Sequence, residues 1–141
     1  MKKFAILLIV AAVAAVLAAC GTKTESTVST GTAIKIVTVD NLTATLSSST
    51  GQLKKGDQEV MLSFTDSSGK PVDVGAVSLN FHMPQMSAMA AMNDATTFTT
   101  TSTPGVYRGK VNIEVAGEWQ AQLAYEGPAG KGKTTFSVTA R

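Results

Sequence analysis

"AVSLNFHMPQMSAMAAM", residues 76–92, holds two patterns in succession. In its first half Val77, Leu79 and Phe81 share one parity, while Ser78, Asn80 and His82 share the other. A period of two is that of a β-strand with one buried face, because successive side chains point to opposite sides of the pleat. Pro84 ends the pattern, having no N–H to give a ladder. In the second half Met83, Met86, Met89 and Met92 recur every third residue, in a chain with six methionines in all.

The alternation repeats along the chain. "EVMLSFTD" sets Val60, Leu62 and Phe64 against Met61, Ser63 and Thr65, and "DSSGKP" (66–71) follows as a turn. "KVNIEVAG" sets Val111, Ile113 and Val115 against polar neighbours, and "EWQAQLAYEG" does the same with Trp119, Ala121, Leu123 and Tyr125. Gly117 reads as the tight connection between those two strands, "EGPAGKGK" (126–133) as a loop, and "TTFSVTA" as a closing strand through Phe136 and Val138. About seven short strands with turn signals every 8–12 residues or so predict an all-β chain with a single antiparallel immunoglobulin-like β-sandwich over 41–141. Trp119 shares its parity with Leu123 and Tyr125 and is expected in the core, and Met61 reads as ordinary packing.

At the other end of the chain, Lys2 and Lys3 precede an uncharged run from Phe4 to Ala19, sixteen residues long. That is short of the roughly 20 needed to span a bilayer and matches the apolar region of an export signal. "LAAC" (17–20) resembles the lipobox of bacterial lipoproteins, which implies cleavage before Cys20, a diacylglycerol on its sulfur and a lipid bilayer as partner. Cys20 is the only cysteine, so no disulfide framework can be drawn. Residues 1–19 are thus expected to be a signal peptide and 20–40 a lipid-anchored linker, because "GTKTESTVSTGTA" (21–33) is too polar to bury a core. "IKIVTV" (34–39) reads equally as a first strand or as the last part of that tether.

Without residues 1–19 the chain has ten Lys and Arg against ten Asp and Glu. A balanced charge with no basic cluster argues against a nucleic-acid partner. No cysteine is left as nucleophile, the single histidine has no evident Ser or Asp partner, and no glycine loop has phosphate-binding spacing, so no enzyme activity is expected.

The methionine segment carries the remaining chemistry. Thioether sulfur is a soft donor suited to Cu(I), and imidazole accepts copper in either oxidation state. Outside the cytoplasm disulfides form and persist, so reduced thiolates are scarce and Met plus His is the soft-ligand set that remains. His82, Met83, Met86, Met89 and Met92 are therefore the candidate copper ligands. On an α-helix residues three apart turn by about 60°, so four of them share no narrow face, and ligation needs a loop or a tight 3₁₀ turn. Three roles without copper fit the same residues. "MSAMAAM" suits a short helical cap packing Met86 and Met89 onto the open end of the sandwich. A Met-rich surface suits docking of a membrane partner, and exposed thioethers scavenge oxidants as sulfoxides.

"SLNFHMPQMSAM", followed by "GVYRGKVNIEVAGEWQAQLAY", resembles the YtkA-like domain family of small exported bacterial proteins. Met83-Pro84 with Met86, Gly105-Val106-Tyr107 and Gly117-Glu118-Trp119 carry the resemblance, which spans about 58–138. It implies an immunoglobulin-like sandwich, often lipid-anchored or fused to membrane transport and copper-handling modules, with His82, Met83 and Met86 on the family motif. The expected protein is then an extracytoplasmic lipoprotein with copper, preferably Cu(I), as cargo. A membrane copper transporter or an oxidase assembly factor would be its partner.

Overall fold

The structure is a computed structural model and describes residues 31–141. The expected signal peptide, Cys20 and the linker up to residue 30 lie outside the described residues. Nine strands follow one another: β1 (Thr32–Val39), β2 (Leu42–Ser48), β3 (Gly56–Thr65), β4 (Ala76–Met83), β5 (Met92–Ala95), β6 (Thr97–Thr100), β7 (Val106–Ile113), β8 (Gly117–Gly127) and β9 (Gly130–Ala140). They form two antiparallel sheets, β1-β2-β3-β7-β6 and β5-β4-β8-β9. The all-β sandwich read from the alternation is what the chain forms.

Alternation supplies its core. Val60, Leu62 and Phe64 of β3 face Leu79, Phe81 and Met83 of β4 and Trp119, Ala121, Leu123 and Tyr125 of β8, all buried. Trp119 is fully enclosed, and its indole N–H donates to the Val115 carbonyl at 3.0 Å, so the one polar atom of the ring is satisfied. Phe64 sits edge-on to both tyrosines, with ring centroids 6.1 Å from Tyr107 and 5.5 Å from Tyr125. Each tyrosine hydroxyl ties its strand to a loop. Tyr107 donates to the Gly75 carbonyl at 3.0 Å and to Asp73 Oδ1 at 3.2 Å, and Tyr125 donates to Asp40 Oδ2 at 3.1 Å. Burial first, and then the facing carboxylate, holds both phenols above their ordinary value of 10.0. In the 66–70 turn Asp66 Oδ1 accepts from the Ser68 hydroxyl at 2.6 Å and from the Ser68 and Lys70 amides at 2.8 and 3.0 Å. Those bonds favour its charged form and pull its carboxyl below the ordinary range.

Three boundaries differ from the sequence reading. Nine strands replace about seven, because β5 and β6 are four residues each and lie in a stretch without alternation. Only Thr96 separates them, its amide donating to the Leu79 carbonyl at 2.9 Å while the chain steps from one sheet to the other. The linker expected to reach residue 40 is shorter, since β1 pairs with β2 from Thr32↔Ser48 to Val39↔Leu42. The loop expected over 126–133 is mostly strand: β8 and β9 stay paired up to Gly127↔Gly130, leaving Pro128 and Ala129 as the turn.

The two ends of the sandwich can be told apart by contact. Gly51 lies against the Thr32 side chain, Leu53 bridges to Ala140, Ala140 pairs with Gly117, and Gly117 lies against Met83. Thr32, Leu53, Gly117, Ala140 and Met83 therefore share one end. Val39, Thr65, Gly127 and Gly130 share the other.

Candidate functional site

Beyond Met83 the chain forms a hairpin. Met83 pairs with Met92 at the end of the β4–β5 ladder, and Met86 pairs with Met89 in the same register farther out. The Met86 amide donates to the Met89 carbonyl at 3.1 Å and the Met89 amide donates back at 2.8 Å, closing a tight turn over Ser87 and Ala88. Ser87 takes the positive φ of 49° that the first central position of such a turn demands. The spacing of three is therefore neither helical nor 3₁₀. It is the reflection of two cross-strand pairs about one turn, and no helix is present among the described residues.

Geometry sorts the five candidates. Met83 is 3% exposed and belongs to the core. Gly117, at φ 142°, makes room for its methyl group, since a Cβ there would stand 3.2 Å from Met83 Cε. Met92 is half-buried against the same core. Met86 and Met89 are 54% and 46% exposed, and every residue from 84 to 91 is exposed. A helical cap sealed over the sandwich is thus not what these residues form. Residues directly opposite in an antiparallel pair project from the same face, which places the two exposed thioethers side by side.

His82 alternates with Met83 and stands on the outer face of its sheet, half-exposed, so the two project to opposite sides. The tip pair lies four residues farther along, about 13 Å of extended chain. The five residues therefore do not converge on one point: the structure brings together Met86 with Met89 and Met83 with Met92, and sets His82 apart from both pairs.

His82 is held by neighbours that sequence reasoning missed. Its Nδ1 lies 2.9 Å from Asn93 Oδ1, and that oxygen also accepts from Asn80 Nδ2 at 3.2 Å. Asn80 Nδ2 makes a longer bond to Gln122 Oε1 at 3.4 Å. An amide oxygen only accepts, so His82 Nδ1 carries the proton and Nε2 bears the lone pair in the neutral ring. Asn80 was legible as the outward neighbour of His82, but Asn93 was not, because β5 gives no alternation to read. On the inward side of β5, buried Asp94 accepts the Glu114 amide at 3.1 Å through Oδ2.

Among the described residues there is no group of three or more His, Cys, Asp or Glu that could hold a metal. A groove of about 730 Å³ opens on the five-stranded sheet beside Met61 and the Arg108–Glu59 ion pair (3.4 Å), and none of the hairpin methionines lines it.

The model of the YtkA-like family matches residues 36–124, more than half the chain. The chain belongs to the YtkA-like family. The match takes in β2 to β7, the Met hairpin included, and most of β8. Neither a curated protein nor a solved structure shows significant similarity to this YtkA-like chain.

Proposed function

We propose that this YtkA-like domain is an exported, lipid-anchored copper-binding module that takes Cu(I) between the thioethers of Met86 and Met89. The exposed, hydrogen-bonded Met86–Met89 pair carries the reading. It sets two soft donors on one face of a rigid two-residue turn, in solvent, with no carboxylate among residues 74–93 to attract a harder ion. Two thioethers leave coordination positions open, which suits a chaperone, buffer or sensor that hands its ion on. Met83 supports the hairpin from the core, and Met92 packs beneath it. His82, oriented through Nδ1 so that Nε2 is available, is the nitrogen donor closest along the chain. A membrane copper transporter or oxidase assembly factor fits as recipient, and acylated Cys20 would keep the domain beside it.

Competition of the protein against a Cu(I) chelator tests this. Wild type should take up about one equivalent, the Met86→Leu/Met89→Leu double variant should lose it, and Met83→Leu should keep it. Unchanged affinity in the double variant would overturn the assignment. The apolar exposed tip also favours a second reading, a module that docks a membrane protein without metal. Leucine at both positions keeps the tip apolar, so docking retained in that variant, with no copper taken up by wild type either, would select this reading.

A further inference from the structure

We propose that the Met86–Met89 tip seats in the interfacial layer of a lipid bilayer, so that the sandwich stands on its Met83 end. This rests on the reading of Cys20 as acylated and goes beyond metal binding.

The position of the tether is the first argument. Thr32, where the described chain begins its first strand, lies at the same end as Met83, joined to it through Gly51, Leu53, Ala140 and Gly117. β1 packs over β9 from the other sheet, and β9 is two strands from β4, so the tether enters about 10 Å along the sheet and about 10 Å across the sandwich from the hairpin. Eleven residues separate Cys20 from Thr32 and cover at most about 40 Å fully extended. An anchor at Cys20 therefore enters the domain at the end that carries the hairpin.

The hairpin is the second argument. It runs about 13 Å past Met83, more than the roughly 5–10 Å by which interfacial segments enter the headgroup and acyl boundary. Its exposed residues are Pro84, Gln85, Met86, Ser87, Ala88, Met89, Ala90 and Ala91, and no Asp, Glu, Lys or Arg occurs from Val74 to Asn93. Nothing charged has to be dehydrated when the tip enters, and the turn already satisfies the Met86 and Met89 amides and carbonyls internally. Lys54, Lys55, Asp57, Glu114, Glu118 and Arg141 at this end lie outside the hairpin and are of both signs. The far end presents Asp40, Asp66, Asp73 and Glu126 together with Lys70 and Lys131, and has no comparable apolar projection.

Lipid is favoured as occupant because the tip carries no charged side chain and projects from the end at which the tether enters. Two methionines and three alanines give a shallow, reversible contact, sufficient to orient a domain that an acyl chain already holds in place.

The test uses the full acylated chain carrying an environment-sensitive fluorophore on Ala88→Cys at the tip, or on Ala129→Cys at the far turn, in protein-free phosphatidylcholine–phosphatidylglycerol vesicles. Cys20, once acylated, offers no competing thiol. The tip label should shift blue, brighten several-fold and be quenched by doxyl-labelled lipid, while the far label stays at its aqueous value. Adding Met86→Asp/Met89→Asp should return the tip label to that value with the near-UV circular dichroism of Trp119 unchanged. A wild-type chain that does not float with vesicles overturns the anchor reading, and this proposal with it, but leaves copper binding standing. A floating chain whose tip label reads as aqueous overturns the tip proposal alone. Shielding in native membranes but not in protein-free vesicles overturns it in favour of a membrane protein.

Discussion

Met83 and Met86 are three residues apart in one arm of one hairpin, yet one is 3% exposed and the other 54%. Their partners repeat the contrast, Met92 half-buried and Met89 exposed. Residue type does not separate the pairs. What does is where three steps of extended chain lead: the parity reverses, and the chain passes beyond the last residues of both sheets. Side chains with the same chemistry thus divide into core packing at the base and reachable sulfur at the tip.

The largest effect expected from this contrast is on stability. Met83→Ala removes a side chain from a packed core and should cost about 2–5 kcal/mol in chemical denaturation. Met86→Ala should stay within about 0.5 kcal/mol of wild type, as exposed positions do. Equal losses would dissolve the distinction between the pairs. Asp94 sharpens the same line from the partner strand. Asp94→Ala leaves the Glu114 amide without its acceptor at 3.1 Å and should cost about 1–3 kcal/mol, so that β5 is held by its inward face while its outward face serves His82.

A second contrast separates the ends of the sandwich. The far end is stapled through tyrosine hydroxyls, and the Met83 end opens into the hairpin. Tyr107→Phe breaks the bonds to Gly75 and Asp73 and should cost about 0.5–1.5 kcal/mol. The pH dependence has a definite sign. Both phenols are raised in the folded state, so their contribution is complete below pH 10.0, the ordinary tyrosine value, and is lost as pH climbs through the raised values. Tyr107 and Tyr125 are the only tyrosines, so the tyrosinate absorbance that rises at 295 nm above the contribution of Trp119 comes from these two phenols. Both should ionise later than free tyrosine and together with alkaline unfolding. Ionisation at the ordinary value in the folded protein would remove the staple.

How much of this could be read beforehand follows from which residues carry the signal. β3, β4, β7 and β8 alternate large apolar with polar residues, so their faces, the enclosure of Trp119 and the opposition of His82 to Met83 were all legible. β1 was ambiguous because its residues are largely exposed and follow a Thr-rich stretch of sequence. β5 and β6 were invisible because a four-residue strand rich in Asn, Ala and Thr has no period to detect, and with β5 went the Asn93 partner of His82. The start of β9 is glycine-rich for a packing reason: a Cβ on Gly132 would stand 2.8 Å from the Tyr125 ring and 2.5 Å from Asp40 Oδ2. Glycine that makes room for a neighbour is indistinguishable in sequence from glycine that makes a turn. The methionine spacing was legible as a fact, but its cause was not. "MSAM" lacks the Asn-Gly or Asp-Gly signature of a two-residue turn, and without the turn a reflection looks like a repeat.

That missing signature yields the smallest effect. Ser87 holds a φ of 49°, a region in which an L-residue is strained and glycine is not. Ser87→Gly should therefore tighten the turn by about 0.5–1 kcal/mol after the greater freedom of glycine in the unfolded chain is set against it. Because residues 84–91 contribute little to the core, the gain should appear as a few-fold slower hydrogen exchange at the Met86 and Met89 amides, with the global unfolding midpoint almost unmoved. Faster exchange would mean that the Ser87 side chain itself supports the turn. A shift in the global midpoint would mean that the tip is coupled to the core after all, and the base and tip methionines would then have to be treated as one structural unit.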